Sequence, residues 1–217
     1  MNPTQPWRSV RAYFADPTTR VERVLTTLLV LGGLVLRSRG YWFDTRPLWL
    51  DEATWVQVLV DPTFGDSDLR PPGFMAVTGV LAHVFGPSEL VVRALAWVAG
   101  AVVTLLAPRL ARRLFGSAGA RLFLVGALAL HPGAIDLAKE FKPYSVSLAL
   151  HLCLVLTSLR YVTTLRGRDL ALPLLIAVVG AFFAQDLVFA YPGVFLVLAG
   201  AAWGRRAELG AIVAGAG

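Results

Sequence analysis

Asp51 and Glu52 follow Trp49-Leu50 at the start of a stretch whose Trp55, Val58 and Leu59 would share one helical face. An aspartate at such a helix start can deprotonate a hydroxyl or amine, a general-base task that needs proximity and a suitable pKa. Capping and dipole interactions, together roughly 1 kcal/mol, would account for the same pair without chemistry. The second patch is Asp68-Leu69-Arg70-Pro71-Pro72. Pro72 suits the first position of a helix, and a guanidinium just before it could clamp a phosphate bidentately or merely anchor at an interface. The third patch, Asp136-Leu137-Ala138-Lys139-Glu140-Phe141-Lys142-Pro143-Tyr144, holds both lysines of an otherwise arginine-only chain. Read as function, Arg70 and Lys142, with Lys139, neutralise a phosphate leaving group while Asp51 or Glu140 handles the incoming nucleophile. Read as structure, the lysines and Glu140 form surface ion pairs.

Other ionisable residues are secondary. Arg93 has the i, i+4 spacing to pair with Glu89, and an arginine at membrane depth marks a functional position by default. Asp186 would line the same cavity as the patches above. His83, His131 and His151 lack metal-ligand spacing and read as structural. Asp61, Asp66 and Asp68 read as solvated loop residues, although Asp66-Ser67-Asp68 could hold a divalent metal; no cofactor is otherwise indicated.

The chain that must position these residues has 217 of them, 56% apolar and 16% charged, with a mean hydropathy of +0.64. That excess points to a bilayer, excludes disorder, and with Cys153 as the only cysteine excludes a disulfide scaffold. The formal charge of +6 would suggest nucleic acid in a soluble protein. Here the arginines instead cluster between apolar runs, which encodes topology and argues against a nucleic-acid partner. Six runs approach the roughly 20 residues a spanning helix needs: 24–36, 90–110, 122–135, 144–159, 170–184 and 187–203. A seventh, 72–85, would rise only about 21 Å as a helix. If it lies along the interface, the arginines before residue 24 and the clusters in 109–121 and 160–168 all face the cytoplasm. If it crosses, the latter two face outward, against the positive-inside bias.

The expected architecture is therefore all-α: a polytopic bundle of about six spans, with an extracytoplasmic loop, 37–89, carrying interfacial helices over 72–85 and after Trp49. Residues 1–23 read as a cytoplasmic segment preceding a signal anchor, 24–203 as the membrane module, and 204–217 as a cytoplasmic or truncated end.

The order of the motifs carries a resemblance. Leu48-Trp49-Leu50-Asp51-Glu52-Ala53, then Arg70-Pro71-Pro72-Gly73-Phe74, then Phe85-Gly86-Pro87-Ser88-Glu89 through Arg93, then Ala111-Arg112-Arg113-Leu114-Phe115-Gly116, and Glu140-Phe141-Lys142-Pro143-Tyr144 resemble the superfamily C membrane glycosyltransferases. Relatives there include protein O-mannosyltransferases and aminoarabinose transferases of lipid A. The resemblance implies an enzyme of the plasma (inner) membrane, with its N-terminus cytoplasmic and its site on the extracytoplasmic face. Such an enzyme moves a sugar from a polyprenyl phosphate or diphosphate carrier to a glycan, lipid or protein acceptor, usually with inversion. On that basis Asp51 matches the general base, with Glu52 and Glu140 orienting the acceptor or the cations. Arg70 stands where relatives often carry His or Lys, Lys142 takes the place of the usual arginine, and Tyr144 completes the phosphate-binding segment. Family enzymes are longer, so the chain is expected to be a front half, either truncated or working with a partner chain. The alternative is a non-catalytic membrane subunit or scaffold of the same fold.

Overall fold

The computed structural model describes residues 19–43, 47–48, 50–61 and 70–215, with no strand among them. The helices are α1 (Arg20–Phe43), α2 (Leu50–Val60), α3 (Pro72–Phe85), α4 (Glu89–Leu114), α5 (Ala118–Leu130), α6 (Pro132–Leu137), α7 (Tyr144–Thr164), α8 (Gly167–Phe183) and α9 (Tyr191–Gly215), with a 3₁₀ turn over Gln185–Ala190.

Helix α4 is the centre. Ser88 caps it, its side-chain oxygen accepting from the Val91 N–H at 3.4 Å, and Arg112 and Arg113 complement the dipole in its last turn. Its buried face, Val92, Ala96, Ala99, Gly100, Val103, Ala107 and Ala111, is mostly small, so α5 and α7 approach closely on either side. α1 packs on α5 and α4, α8 on α7, and α3 on α4 and α8. A Cβ at Gly33 of α1 would come within 2.6 Å of the Ala129 carbonyl oxygen of α5, so only glycine allows that approach. The outward faces are apolar, as lipid contact requires: Leu28, Leu31 and Val35 on α1, Leu175, Val178 and Phe182 on α8, Leu196 and Val197 on α9. Among the described residues, three segments are long and apolar enough to cross a membrane: Glu89–Leu114, Tyr144–Thr164 and Gln185–Gly204. α1 is long but carries arginines within it, and α5 and α8 have 13 and 17 residues.

The contacts sort the helix termini into two ends. Tyr41 near the end of α1 donates its hydroxyl hydrogen to the Leu90 carbonyl at the start of α4, and Ser147 in the first turn of α7 bonds Asp186 just after α8. At the opposite end Arg121 near the start of α5 pairs with Glu22 at 2.6 Å, and Arg160 near the end of α7 pairs with Asp169 in the first turn of α8 at 3.0 Å. α3 begins against Phe182 and Phe183 at the end of α8 and finishes four residues before α4 starts. Both of its termini thus belong to the first end, and it does not cross the bundle, as expected for 72–85.

Two expectations change. The first helix was expected to stop near residue 36 but continues to Phe43, with Arg37 and Arg39 inside it. The run 122–135, expected as one span, is two helices broken at His131, whose ψ of 123° is extended. The cause is Pro132, which disfavours helical geometry in the residue before it and has no N–H to offer Leu128 four residues back. Arg37, only 1% exposed, repairs the break. Its Nη2 donates to the Leu128 carbonyl at 2.9 Å, and Nη1 donates to the carbonyls of Ala129 and Gly33.

Candidate active site at one end of the bundle

The end defined by Tyr41, Leu90 and Ser147 also gathers the sequence-predicted side chains. α2 forms there because apolar Trp55, Val56 and Leu59 pack on the core, and it stops before Asp61-Pro62. Its first turn carries two neighbouring carboxylates in opposite surroundings. The Glu52 side chain is 1% exposed: one oxygen faces Arg93 Nη2 of α4 at 3.3 Å and the other accepts the backbone N–H of Phe141. Glu52 therefore fastens α2 both to the central helix and to the segment following α6. Arg93 also faces Glu89 at 3.6 Å, the predicted i, i+4 pair.

The Asp51 side chain is 65% exposed, with Oδ2 2.6 Å from Lys142 Nζ and Oδ1 accepting the Glu52 N–H at 2.9 Å. Hydrogen bonding and charge from Lys142 hold its carboxyl below the usual aspartate range, the backbone N–H of Glu52 adding to the effect. Lys142 Nζ lies 4.4 Å from the centre of the Trp55 ring, and the Arg70 guanidinium 5.8 Å from the same ring. Each such contact contributes about 0.5–2 kcal/mol, depending on solvation. Trp55 in turn stands edge-on to Phe74 and Phe141, which stack on each other at 5.5 Å. An aromatic wall thus backs two cations and one carboxylate. Arg70 Nη1 is buried there without a hydrogen-bond partner, an orphan donor aimed at nothing the described protein supplies.

Lys139 is engaged separately, at 2.8 Å from Asp136, with its stem against Gly40 of α1. Glu140 sits half-buried between them. Burial pushes its carboxyl up, helped by the negative charges of Glu52, Asp136 and Asp51 and opposed by Lys142. Tyr144 starts α7 half-exposed and Asp186 bonds Ser147; among the described residues neither is seen hydrogen-bonded or ion-paired to Asp51, Lys142 or Arg70. Sequence reading gave Trp55 only a packing role and missed the Arg37 repair. The signal for the first was available: Trp55 is four residues from Asp51, on the same side of a helix. Among the described residues no three His, Cys, Asp or Glu side chains converge as metal ligands, and Asp66 and Asp68 lie outside the described residues.

Residues 69–214 match the profile of the dolichyl-phosphate-mannose-protein mannosyltransferase family. The chain belongs to that family. It is a membrane glycosyltransferase of the superfamily C type, as its motif order suggested. No curated protein and no solved structure matches it. The family match contains Arg70, Arg93, Lys139, Glu140 and Lys142 but begins after Asp51 and Glu52. The Lys142–Asp51 and Arg93–Glu52 pairs are what join the two carboxylates to the matched portion.

Proposed function

We propose that this end of the bundle transfers a sugar, mannose by the family's description, from a polyprenyl-phosphate carrier to an acceptor hydroxyl or amine. The observation that carries the reading is the Asp51–Lys142 pair over Trp55, beside the Arg70 Nη1, buried and without a hydrogen-bond partner among the described residues. A base and two cations within one small area are what displacement at C1 needs. The acceptor oxygen or nitrogen attacks C1 while the bond from C1 to the phosphate oxygen breaks. The electron pair of that bond leaves with the phosphate, where Arg70 and Lys142 stabilise the added charge. The acceptor's proton passes to Asp51. Attack from the face opposite the phosphate inverts C1.

The resting ion pair fits this sequence. With Lys142 at 2.6 Å, Asp51 stays ionised but is a weak base. A phosphate that draws Lys142 toward itself removes that stabilisation and raises the proton affinity of Asp51 when donor is present. Glu52 and Arg93 act through α2, fixing where Asp51 stands. In orientation, the positive-inside bias favours the arginine-rich opposite end in the cytoplasm and this site on the extracytoplasmic face, in the plasma (inner) membrane that the family resemblance implies.

The test is binding of radiolabelled polyprenyl-phosphate mannose to purified protein in detergent. Arg70→Gln and Lys142→Gln should each weaken binding about ten- to a hundredfold, the range for a lost charged hydrogen bond. Polyprenyl phosphate should compete and free polyprenol should not. Equal competition by free polyprenol would show that the phosphate is not what the site reads.

A further inference from the structure

The end of the bundle opposite Asp51 holds a second polar site that sugar transfer does not use. Between α1, α4 and α5 lies a cavity of about 180 Å³, whose lining includes Glu22, Arg23, Thr26, Thr27, Arg112 and Arg121. A single water needs only about 10–15 Å³ of such space. One wall is fully satisfied: Arg121 gives Nε and Nη2 to the two Glu22 oxygens at 2.6 and 2.8 Å, and Nη1 to the carbonyls of Phe115 and Gly116. That pairing consumes the only carboxylate in the lining.

Arg23 and Arg112 remain. They come from different helices, face one cavity, are exposed, and form no ion pair among the described residues. Arg112 also feels the charge of Glu22, but one carboxylate against three guanidiniums leaves the lining net positive, and a phosphate between Arg23 and Arg112 can accept from both forks. Thr26 and Thr27 add hydroxyls to the same lining. Leu105 and Leu114 on α4, seven residues before Arg112 and three after Ala111, stand exposed on the cavity side of that helix, an apolar surround there suited to acyl chains.

We infer that this cavity binds a phosphate group, with Arg23 and Arg112 as its cations and the Glu22–Arg121 pair as its wall; the apolar surround favours the headgroup of an anionic phospholipid over free phosphate. Basic pockets between spanning helices recognise anionic headgroups by this chemistry.

The experiment is native mass spectrometry of the full chain in detergent, titrated with phosphatidylglycerol, phosphatidylcholine or inorganic phosphate. Phosphatidylglycerol should be retained over phosphatidylcholine. Arg23→Gln with Arg112→Gln should weaken its binding about thirtyfold, near fivefold for each surface arginine. Arg166→Gln with Arg168→Gln, exposed arginines of the same end outside the cavity, should leave it unchanged. Displacement of the lipid by millimolar inorganic phosphate supports the anion site and identifies free phosphate as a sufficient ligand. No displacement supports a headgroup whose chains contribute. Equal retention of both lipids, which requires no variant, overturns the inference, as does an equal loss in the Arg166→Gln and Arg168→Gln variant.

Discussion

Asp51 and Glu52 show how far two adjacent carboxylates can diverge. Glu52 is buried and holds Arg93 and the Phe141 N–H, so it is structural in effect. Asp51 is exposed, and beyond the N–H of its own helix it holds a lysine that a substrate anion could claim. Glu52→Gln leaves Arg93 without its buried counter-charge and should destabilise the chain by about 3–5 kcal/mol. Asp51→Asn removes an exposed pair worth about 0–1 kcal/mol and should barely shift the melting temperature. The pH dependence of stability checks the Asp51 pair. Because the folded pKa of Asp51 is depressed, its contribution is present above the ordinary aspartate value of about 3.9 and is lost as pH falls through the folded value. Thermal melts of wild type and Asp51→Asn should therefore converge in acid, while a gap that widens in acid would contradict the assigned pair.

At the scale of elements, the break between α5 and α6 matters most, because it turns the chain so that Lys139, Glu140 and Lys142 reach the site. Proline makes the break and Arg37 makes it tolerable, donating to the Leu128 and Ala129 carbonyls that lose their helical partners. Arg37→Met should cost about 2–4 kcal/mol, one to two stranded buried acceptors. Adding Pro132→Ala restores an N–H for Leu128 and should recover part of that stability. Rejoining the helix should at the same time displace the 138–143 segment and abolish donor binding. Additive losses in the double variant's melting temperature would refute the repair.

Hydropathy could not show this break, since 122–135 is apolar on both sides of Pro132, and only the proline itself signalled it. Nor could it place Arg37, expected in a loop and found buried, because two of its three partners are more than ninety positions away. The helix over 72–85 was legible to the residue from its Pro-Pro start and length, and the start of α7 from Pro143. Asp51, Glu52, Arg70 and Lys142 stood out as candidates because their patterns are local. The use of Trp55 as a platform for two cations was not, since it requires α2, the Arg70 segment and the 138–143 segment to meet in space.

For the whole molecule, the described residues form a bundle with two chemically distinct ends. One gathers Asp51, Arg70 and Lys142 at an aromatic wall, with Glu52, Lys139 and Glu140 nearby; the other carries Arg23, Arg112, Arg121 and Arg160. On the proposed reading, that asymmetry would orient the chain by the positive-inside bias, with the arginine-rich end inside. The central claim is that the first end catalyses transfer with Asp51 as its base. It is tested most directly by following radiolabel from polyprenyl-phosphate mannose to acceptor or water, using purified protein in detergent. Wild type should turn over, and turnover by Asp51→Asn should fall by about 10²–10⁴ with donor binding retained. Undiminished transfer by Asp51→Asn, or donor binding without turnover by the folded wild type, would contradict it, the latter pointing to a non-catalytic subunit.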